Sequence, residues 1–364
     1  MKNYLEFEKN IEKLEEKLKN LKDPFQNQGI SKVETEKISN IQSEIDQELK
    51  KIYQNLNPWE KTQVARHENR PKSNFFIQKL FEDFISLEGD RFYSEDKSVT
   101  TGFAKFNNTS VLIIGQEKGE DLNTRIEKNF GMMRPEGYRK SIRLMKLADR
   151  FNIPIIIFID TPGAYPGAGA EERGQAEAIA KSIQCSMEIK VPTISIIIGE
   201  GGSGGAIALA SSNRVLMFEN AIYSVISPEG CATILWRDPS KTLQAAKAMK
   251  LSAEDLLKLG IIDGIIKEPI GGAHRNREEI LKNVKAALKA NLLDLLKMSR
   301  EEIFLDRKNK FLTIGRQKGF QGKIQNSNNL VMKNKLYYDY LILFKRFKFP
   351  IIFILIAILM ASLL

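Results

Sequence analysis

Five glycines crowd into the seven residues Gly199–Gly205, GEGGSGG, and an alanine-rich stretch, AIALA, follows at once. Glycine lets a backbone turn through positive φ and lets a ligand come against the main chain itself. If a helix begins there, its first N–H groups have no acceptors within the helix and carry a partial positive charge. The chemistry on offer is anion binding, either of a phosphate or of an oxyanion that forms during a reaction. A phosphate loop would carry a lysine in the G-K-[ST] position after its glycines, and none follows here. The same residues match G-x-S-x-G through Gly201, Ser203 and Gly205, the strand-to-helix elbow of serine hydrolases. Such an enzyme needs a histidine base, and the chain has two histidines, His67 and His274, the second downstream of Ser203. Ser203 has glycine on both sides, which suits a loop that works through its backbone. A serine hydrolase using Ser203 is the alternative.

Two other loops have the composition of site walls. In DTPGAYPGAGAEERG, Asp160–Gly174, two prolines stiffen the chain while Gly163, Gly167 and Gly169 let it bend, so the loop has a defined shape. Glu171 and Glu172 open the helix that follows, where carboxylates complement the helix dipole. In FGMMRPEGYRK, Phe130–Lys140, a Gly/Pro turn leads to Arg139 and Lys140 at a helix start. Cations are unfavourable there, so these two are expected to hold a carboxylate.

The elements that must position these loops are legible in the hydrophobic pattern. SVLIIGQEKG, IPIIIFIDTPGAYPG and VPTISIIIGEGGSGG are short continuous apolar runs, each ending in a glycine-bearing turn. Continuous runs indicate strands buried on both faces, and the amphipathic stretches between them, Tyr138–Phe151 and Glu171–Glu188, read as helices. Ile113, Ile156 and Ile196 are about 40 residues apart, a repeating strand–turn–helix unit. Ligands in such sheets gather beyond the carboxyl ends of the strands, where these loops lie. Upstream, Phe7, Ile11, Leu14, Leu18 and Leu21 form one helical stripe and Ile38, Ile41, Ile45, Leu49 and Ile52 another. A breaker around Pro24 and Gly29 separates them, so a helical hairpin is expected.

Composition removes several function classes. A length of 364 residues with 43% hydrophobic and 27% charged residues suits a folded chain with a sizeable core. The formal charge is +10, but 11 basic and 2 acidic residues fall from Asp306 onward. The main body is therefore near neutral and offers no case for nucleic-acid binding. Two cysteines, Cys185 and Cys231, exclude a disulfide scaffold and a zinc ribbon, leave no metal site in prospect and fit a reducing, cytoplasmic compartment. Phe349–Leu364 is an uncharged run preceded by Lys345, Arg346 and Lys348. It is shorter than the ~20 residues of a spanning helix, and contact of this C-terminal tail with a membrane is weighed against a non-essential extension.

Taken together, FGMMRPEGYRK, FIDTPGAYPGAGAEERGQAEAIA, IGEGGSGGAIALA, YSVISPEGCATILW and EPIGGAHRN resemble the carboxyltransferase alpha subunits of multisubunit bacterial acetyl-CoA carboxylase. The resemblance runs from the N-terminal helices to about Phe320. It implies an α/β, crotonase-like (ClpP/crotonase) spiral of ββα units with an N-terminal helical hairpin. The implied domains are a hairpin at 1–60 for assembly or docking, a carboxyltransferase domain at 61–320, and a basic then hydrophobic extension at 321–364. The implied reaction moves CO2 from carboxybiotin to acetyl-CoA to form malonyl-CoA, the first committed step of fatty acid synthesis.

For the site, the resemblance implies a ureido oxyanion hole at the backbone of Gly204 and Gly205, with Gly201 and Gly202 shaping the turn. Thr161, Pro162, Gly163, Ala164, Tyr165, Pro166 and Gly167 would line the biotin channel, and Arg139 would meet the carboxylate of carboxybiotin. Biotin would be covalently held on a separate biotin carboxyl carrier protein. The implied partners are a zinc-ribbon-bearing beta subunit that holds the CoA, in an α2β2 core, and a biotin carboxylase that uses ATP. No biotinyl-lysine context or ATP-grasp-like segment is present in this chain. The competing readings are another crotonase-fold acyl-CoA enzyme, complete in one chain, and a membrane-tethered scaffold, which would not need three glycine-bearing strand ends.

Overall fold

The two N-terminal stripes fold as the expected hairpin. In the computed structural model, which describes residues 3–22 and 35–315, α1 (Lys9–Lys22) and α2 (Thr35–Tyr53) bury Ile11, Leu18, Ile45 and Leu49 in a small core of their own. Arg275 fastens the hairpin to the body through Glu8 (3.0 Å) and Glu15 (2.8 Å). The described residues up to Ile314 group as one compact unit. The extension at 321–364, with its apolar run, lies outside the described residues.

Two short helices, α3 (Pro58–Ala65) and α4 (Ser73–Leu80), lead into the sheet. Strands β1 (Glu82–Ser86), β2 (Val99–Phe106) and β3 (Thr109–Gln116) are antiparallel neighbours. Asn107 and Asn108, both at positive φ, turn the β2–β3 hairpin, as a two-residue turn between twisted strands requires. After β3 come α5 (Leu122–Glu127), α6 (Pro135–Arg150), β4 (Ile155–Thr161), α7 (Ala168–Glu172), α8 (Gln175–Glu188), β5 (Thr193–Gly202) and α9 (Ser203–Ala210). They are followed by β6 (Arg214–Phe218), β7 (Ile222–Ser224), α10 (Pro228–Trp236), α11 (Thr242–Met249), α12 (Ala253–Lys258), β8 (Gly264–Ile266), α13 (Arg277–Leu295) and α14 (Arg300–Thr313).

Strands β3, β4, β5, β6 and β8 are parallel neighbours in that order. Ile113 pairs with Ile156, and Ile156 with Ile194, so the repeated apolar runs lie side by side. All seven residues of β4 and the first nine of β5 are buried, because helices cover both faces of a parallel sheet. The units β2–β3–α6 and β6–β7–α10 are strand–strand–helix; between them β4 and β5 end instead in the glycine-bearing turns. On its side away from β4, strand β5 serves two neighbours. Its residues 194–197 pair with β6, and Glu200, Gly201 and Gly202 pair with β7. Ile198 and Gly199 lie between the two pairings, so the end of β5 that carries the glycine turn is held by β7 and not by β6.

The helix expected over Glu171–Glu188 is two helices, α7 and α8. Gly174 sits between them at φ 81°, a left-handed conformation that ends one helix and lets the next start at a new angle. Among the described residues no helix is long and apolar enough to cross a membrane.

Candidate functional site

The three loops read from the sequence converge where β3, β4 and β5 end. Residues 161–167 follow β4, and Thr161 is paired with Gly201 of β5. Thr161 Oγ1 donates to the Gly163 carbonyl at 2.6 Å, folding the loop back on itself. The Tyr165 N–H donates to the Met133 carbonyl at 3.0 Å, and Arg134 lies over the Tyr165 ring at 4.6 Å. Buried Gln175 donates to the carbonyls of both Met133 and Tyr165. Arg173 grips Glu136 through two nitrogens, at 2.6 and 3.2 Å. Loops 130–137 and 161–167 are thus one braced wall.

The glycine turn rests directly on that wall. A Cβ on Gly202 would lie 2.1 Å from the Pro162 carbonyl oxygen, and one on Gly205 would lie 2.6 Å from the Gly163 carbonyl carbon. Both glycines are therefore required by backbone-to-backbone packing, so the space expected to admit a ligand at Gly205 is filled by Gly163 and Ala164. Gly204 differs, because a Cβ there would meet only the Ile179 side chain, at 3.5 Å. Gln116, at the end of β3, donates to the Gly205 carbonyl at 2.9 Å. Helix α9 begins at Ser203 with no side-chain cap, so the first-turn N–H groups keep their donor capacity. An uncapped, half-exposed helix start in a braced glycine turn suits an anionic oxygen that must approach main-chain donors closely.

Ser203 has φ 46°, the strained backbone of a strand-to-helix elbow. The histidines do not join it. His67 and His274 stack on each other at 3.8 Å, and His67 donates from Nε2 to the Asn3 carbonyl while Nδ1 accepts from the Asn69 N–H. Burial and the neighbouring His67 push the His274 imidazole down to about 2. Both rings serve the junction between hairpin and body. Ser203→Ala should lower turnover by less than about tenfold, whereas a serine nucleophile would lose on the order of 10⁶-fold; steady-state turnover decides.

The cations expected to hold a carboxylate hold the protein's own. Lys140 is buried, paired with Glu95 and bonded to the carbonyls of Asp96 and Val99. Arg139 donates to the Arg173 carbonyl at 2.6 Å and faces Glu177 at 3.5 Å. It lines a groove between α6 and α8 with Ile142, Arg143 and Lys181, and none of its bonds reaches the glycine turn.

A charged cluster under the three loops was missed. Lys118, just beyond β3, lies 2.8 Å from Asp160 Oδ1 on β4 and 2.6 Å from Glu200 Oε2 on β5. Arg66, capping α3, bonds Glu200 Oε1 at 2.7 Å and Glu229 of α10 at 2.5 Å. Burial would raise the Glu200 carboxyl, but Lys118 and Arg66 outweigh it and hold it at about 2. Burial would likewise lower the Lys118 ammonium, and Asp160 and Glu200 keep it raised. The available signal was an acid placed inside an otherwise apolar or glycine-only strand end, as in FID and GEGG. Among the described residues no group of three or more His, Cys, Asp or Glu is placed to hold a metal ion.

Residues 4–315 match the family model described as acetyl co-enzyme A carboxylase carboxyltransferase-like. The chain is 69% identical to the acetyl-coenzyme A carboxylase carboxyl transferase subunit alpha of Pelagibacter ubique over 92% of its own length and 90% of the relative's. It is 52% identical to the subunit of the same name from Cereibacter sphaeroides, over 86% and 98%. In structure it is similar to transcarboxylase 12S, with a TM-score of 0.52 and 18% identity over 63% of this chain and 42% of that one, a likeness of crotonase-like fold. The chain belongs to the family of acetyl-coenzyme A carboxylase carboxyltransferase alpha subunits.

Proposed function

We propose that this alpha subunit is the biotin-facing half of a shared active site, and that the first turn of α9 stabilises negative charge developing on a ureido oxygen. The observation that carries the reading is the Gly201–Gly205 turn, in which Gly202 and Gly205 are held against residues 162–164 while the helix start beside them lacks a cap. Carboxybiotin, on a separate biotin carboxyl carrier protein, supplies the activated carboxyl group that becomes part of malonyl-CoA. The N–H groups of Gly204 and Gly205 donate to the charged oxygen, and Gly201 and Gly202 let the main chain reach it. The loop Thr161–Gly167, pinned by Gln175, walls the channel. Such donors are prearranged, so little reorganisation is needed as charge develops. A reaction passing through oxyanions needs no side-chain nucleophile, consistent with histidines committed elsewhere.

The acyl-CoA half belongs, in this proposal, to a zinc-ribbon-bearing beta subunit in an α2β2 core, with ATP used by a separate biotin carboxylase. Val225, Ile234 and Leu235 are 73%, 68% and 66% exposed on β7's outgoing loop and α10. Large apolar side chains grouped beside a site favour a partner surface. The N-terminal hairpin is assigned to docking. Free, buried Cys185 and Cys231 agree with a cytoplasmic setting, and membrane contact through residues 349–364 is kept as a separate proposal.

The deciding experiment is the reverse half-reaction, acetyl-CoA formation from malonyl-CoA and free biotin, with the chain alone and then with its beta subunit. Activity only in the mixture supports the shared site. Activity of the chain alone would place the acyl-CoA site here, and none in a verified complex would overturn the reading. Arg139 is proposed to leave Glu177 for the carboxylate of carboxybiotin. Arg139→Met should then raise KM for the carboxybiotin donor about tenfold, a loss of about 1.4 kcal/mol, with KM for acetyl-CoA unchanged; equal changes in both would remove Arg139 from the site.

A further inference from the structure

We infer that Lys118 is a positioning residue for carboxyl transfer: its ammonium, clamped between Asp160 and Glu200, sets the height and direction of the Gly201–Gly205 turn. The inference rests on the turn being the oxyanion site. A run of glycine with one serine has no side chain of its own large enough to anchor it, and each glycine is free over a wide φ/ψ range. The last side chain before the turn is Glu200. Both of its oxygens are held, Oε2 by Lys118 and Oε1 by Arg66, and its backbone N–H donates to Asp160 Oδ1 at 2.9 Å. The same Asp160 oxygen meets the Lys118 ammonium at 2.8 Å. The three side chains are 14%, 4% and 10% exposed, so water screens them little.

Every loop of the site touches this ammonium's surroundings. A Cβ on Gly131 would lie 2.6 Å from the Asp160 carbonyl oxygen and 2.9 Å from Lys118 Cγ, and one on Gly199 would lie 2.5 Å from Asp160 Oδ1. The two glycines are what allow the first and third loops to close on the cluster. Two buried carboxylates share one ammonium here, and Asp160 has no other ion-pair partner among the described residues. Without Lys118, Asp160 loses its ion-pair partner and Glu200 keeps only Arg66, so two neighbouring buried carboxylates relieve their repulsion by moving apart or taking up a proton. Either change shifts Glu200 and with it the turn. A misplacement of about 1 Å in a catalytic group costs on the order of 10²-fold.

The test is Lys118→Met in the assembled alpha–beta complex, followed by the malonyl-CoA and free biotin half-reaction. Turnover should fall about 10²-fold while KM for malonyl-CoA holds. The variant's turnover should also climb as pH falls from about 8 to 6, as protonation of the carboxylate pair replaces the lost cation. The charged groups facing the cluster are Arg66 and Glu229 from α3 and α10, Glu117 beside Asp160, and Glu68, Arg70, Lys72 and Arg125, which line the same pocket as Lys118 and Asp160. Lys72, pushed down to about 8 by burial, titrates in both proteins, so the readout is the difference between the two profiles. Lys118→Arg should recover at least about a tenth of wild-type turnover. Glu200→Gln, close to the same shape, provides a second route if Lys118→Met does not assemble, with an expected loss of about tenfold at constant KM. Wild-type turnover in Glu200→Gln, or a Lys118→Met loss with an unchanged pH profile and no recovery in Lys118→Arg, overturns the positioning role. Gly204→Ala separates this from the oxyanion reading: full activity there removes the turn from the mechanism, whereas loss there with wild-type behaviour in the Lys118 variants overturns only the positioning role.

Discussion

Carboxyl transfer should fall by about 10²–10³-fold, the cost of losing an oxyanion donor, when a single methyl group is added at Gly202. Gly202 has φ −94° and ψ 120°, which any residue adopts, so Gly202→Ala carries no backbone penalty of its own. The methyl would instead lie 2.1 Å from the Pro162 carbonyl oxygen, 2.2 Å from its carbon and 2.8 Å from the Gly163 nitrogen. All three are main-chain atoms that cannot swing aside as a side-chain tip would. Overpacking of this kind costs about 1–3 kcal/mol, and the loops relieve it by moving apart. Gly205→Val should act alike, because its side chain would enter between Gly163 and Ala164. Gly204→Ala is the informative contrast: its methyl touches Ile179 at ordinary distance, so activity lost there with an unchanged melting temperature reports obstruction of a ligand. Wild-type turnover in Gly202→Ala would remove the contact between turn and wall from the mechanism.

The largest loss of stability should come from Arg70→Met. The Arg70 and Glu268 side chains are 1% and 0% exposed. Arg70 donates from Nη1 and Nη2 to the two carboxylate oxygens and from Nε to the Ile198 carbonyl at 2.6 Å. Glu268 also accepts the N–H groups of Asn220 and Ala273. Removing one partner of a buried pair costs about 3–5 kcal/mol, because the other charge stays buried alone. At this chain length that corresponds to a fall in Tm of about 4–8 °C. In the native protein burial would raise the Glu268 carboxyl, and Arg70 overcomes this and holds it below its ordinary value. A depressed carboxyl contributes stability above its unfolded pKa and loses it as pH falls through the folded one. In Arg70→Met burial dominates and the sign reverses, so the variant's deficit should be smaller at pH 5 than at pH 8. Thermal melts at the two values check this, and an equal deficit at both would mean that lost packing, not the stranded charge, is the cause.

The folded body was largely legible because its strands are continuous apolar runs and its turns are glycine. Ile113, Ile156 and Ile194 come into register as repeated runs of that kind must in a parallel sheet. The hairpin stripes paired for the same reason: Ile11 and Leu18 can be buried only against Ile45 and Leu49. Gly174 was the local exception. Its amphipathic surroundings continue a helical pattern, while at φ 81° it follows Arg173, whose partner Glu136 is 37 residues away in the chain and not shown by the local sequence.

Apolar periodicity and glycine placement are enough to specify the strand–turn–helix order, the helical hairpin, and a turn whose backbone must come into close contact. Those properties follow from the period of apolar residues and from the missing side chain of glycine, which act within a few residues of themselves. Tertiary structure alone decided which surface the glycines meet and which charges govern the turn. Gly202 and Gly205 face Pro162–Ala164, and Lys118 finds Glu200 across 82 residues of chain. An ion pair in the sequence is only a pair of charges. Its partner, its burial and the carboxyl value near 2 at Glu200 exist only once parallel register has brought three strand ends to one edge.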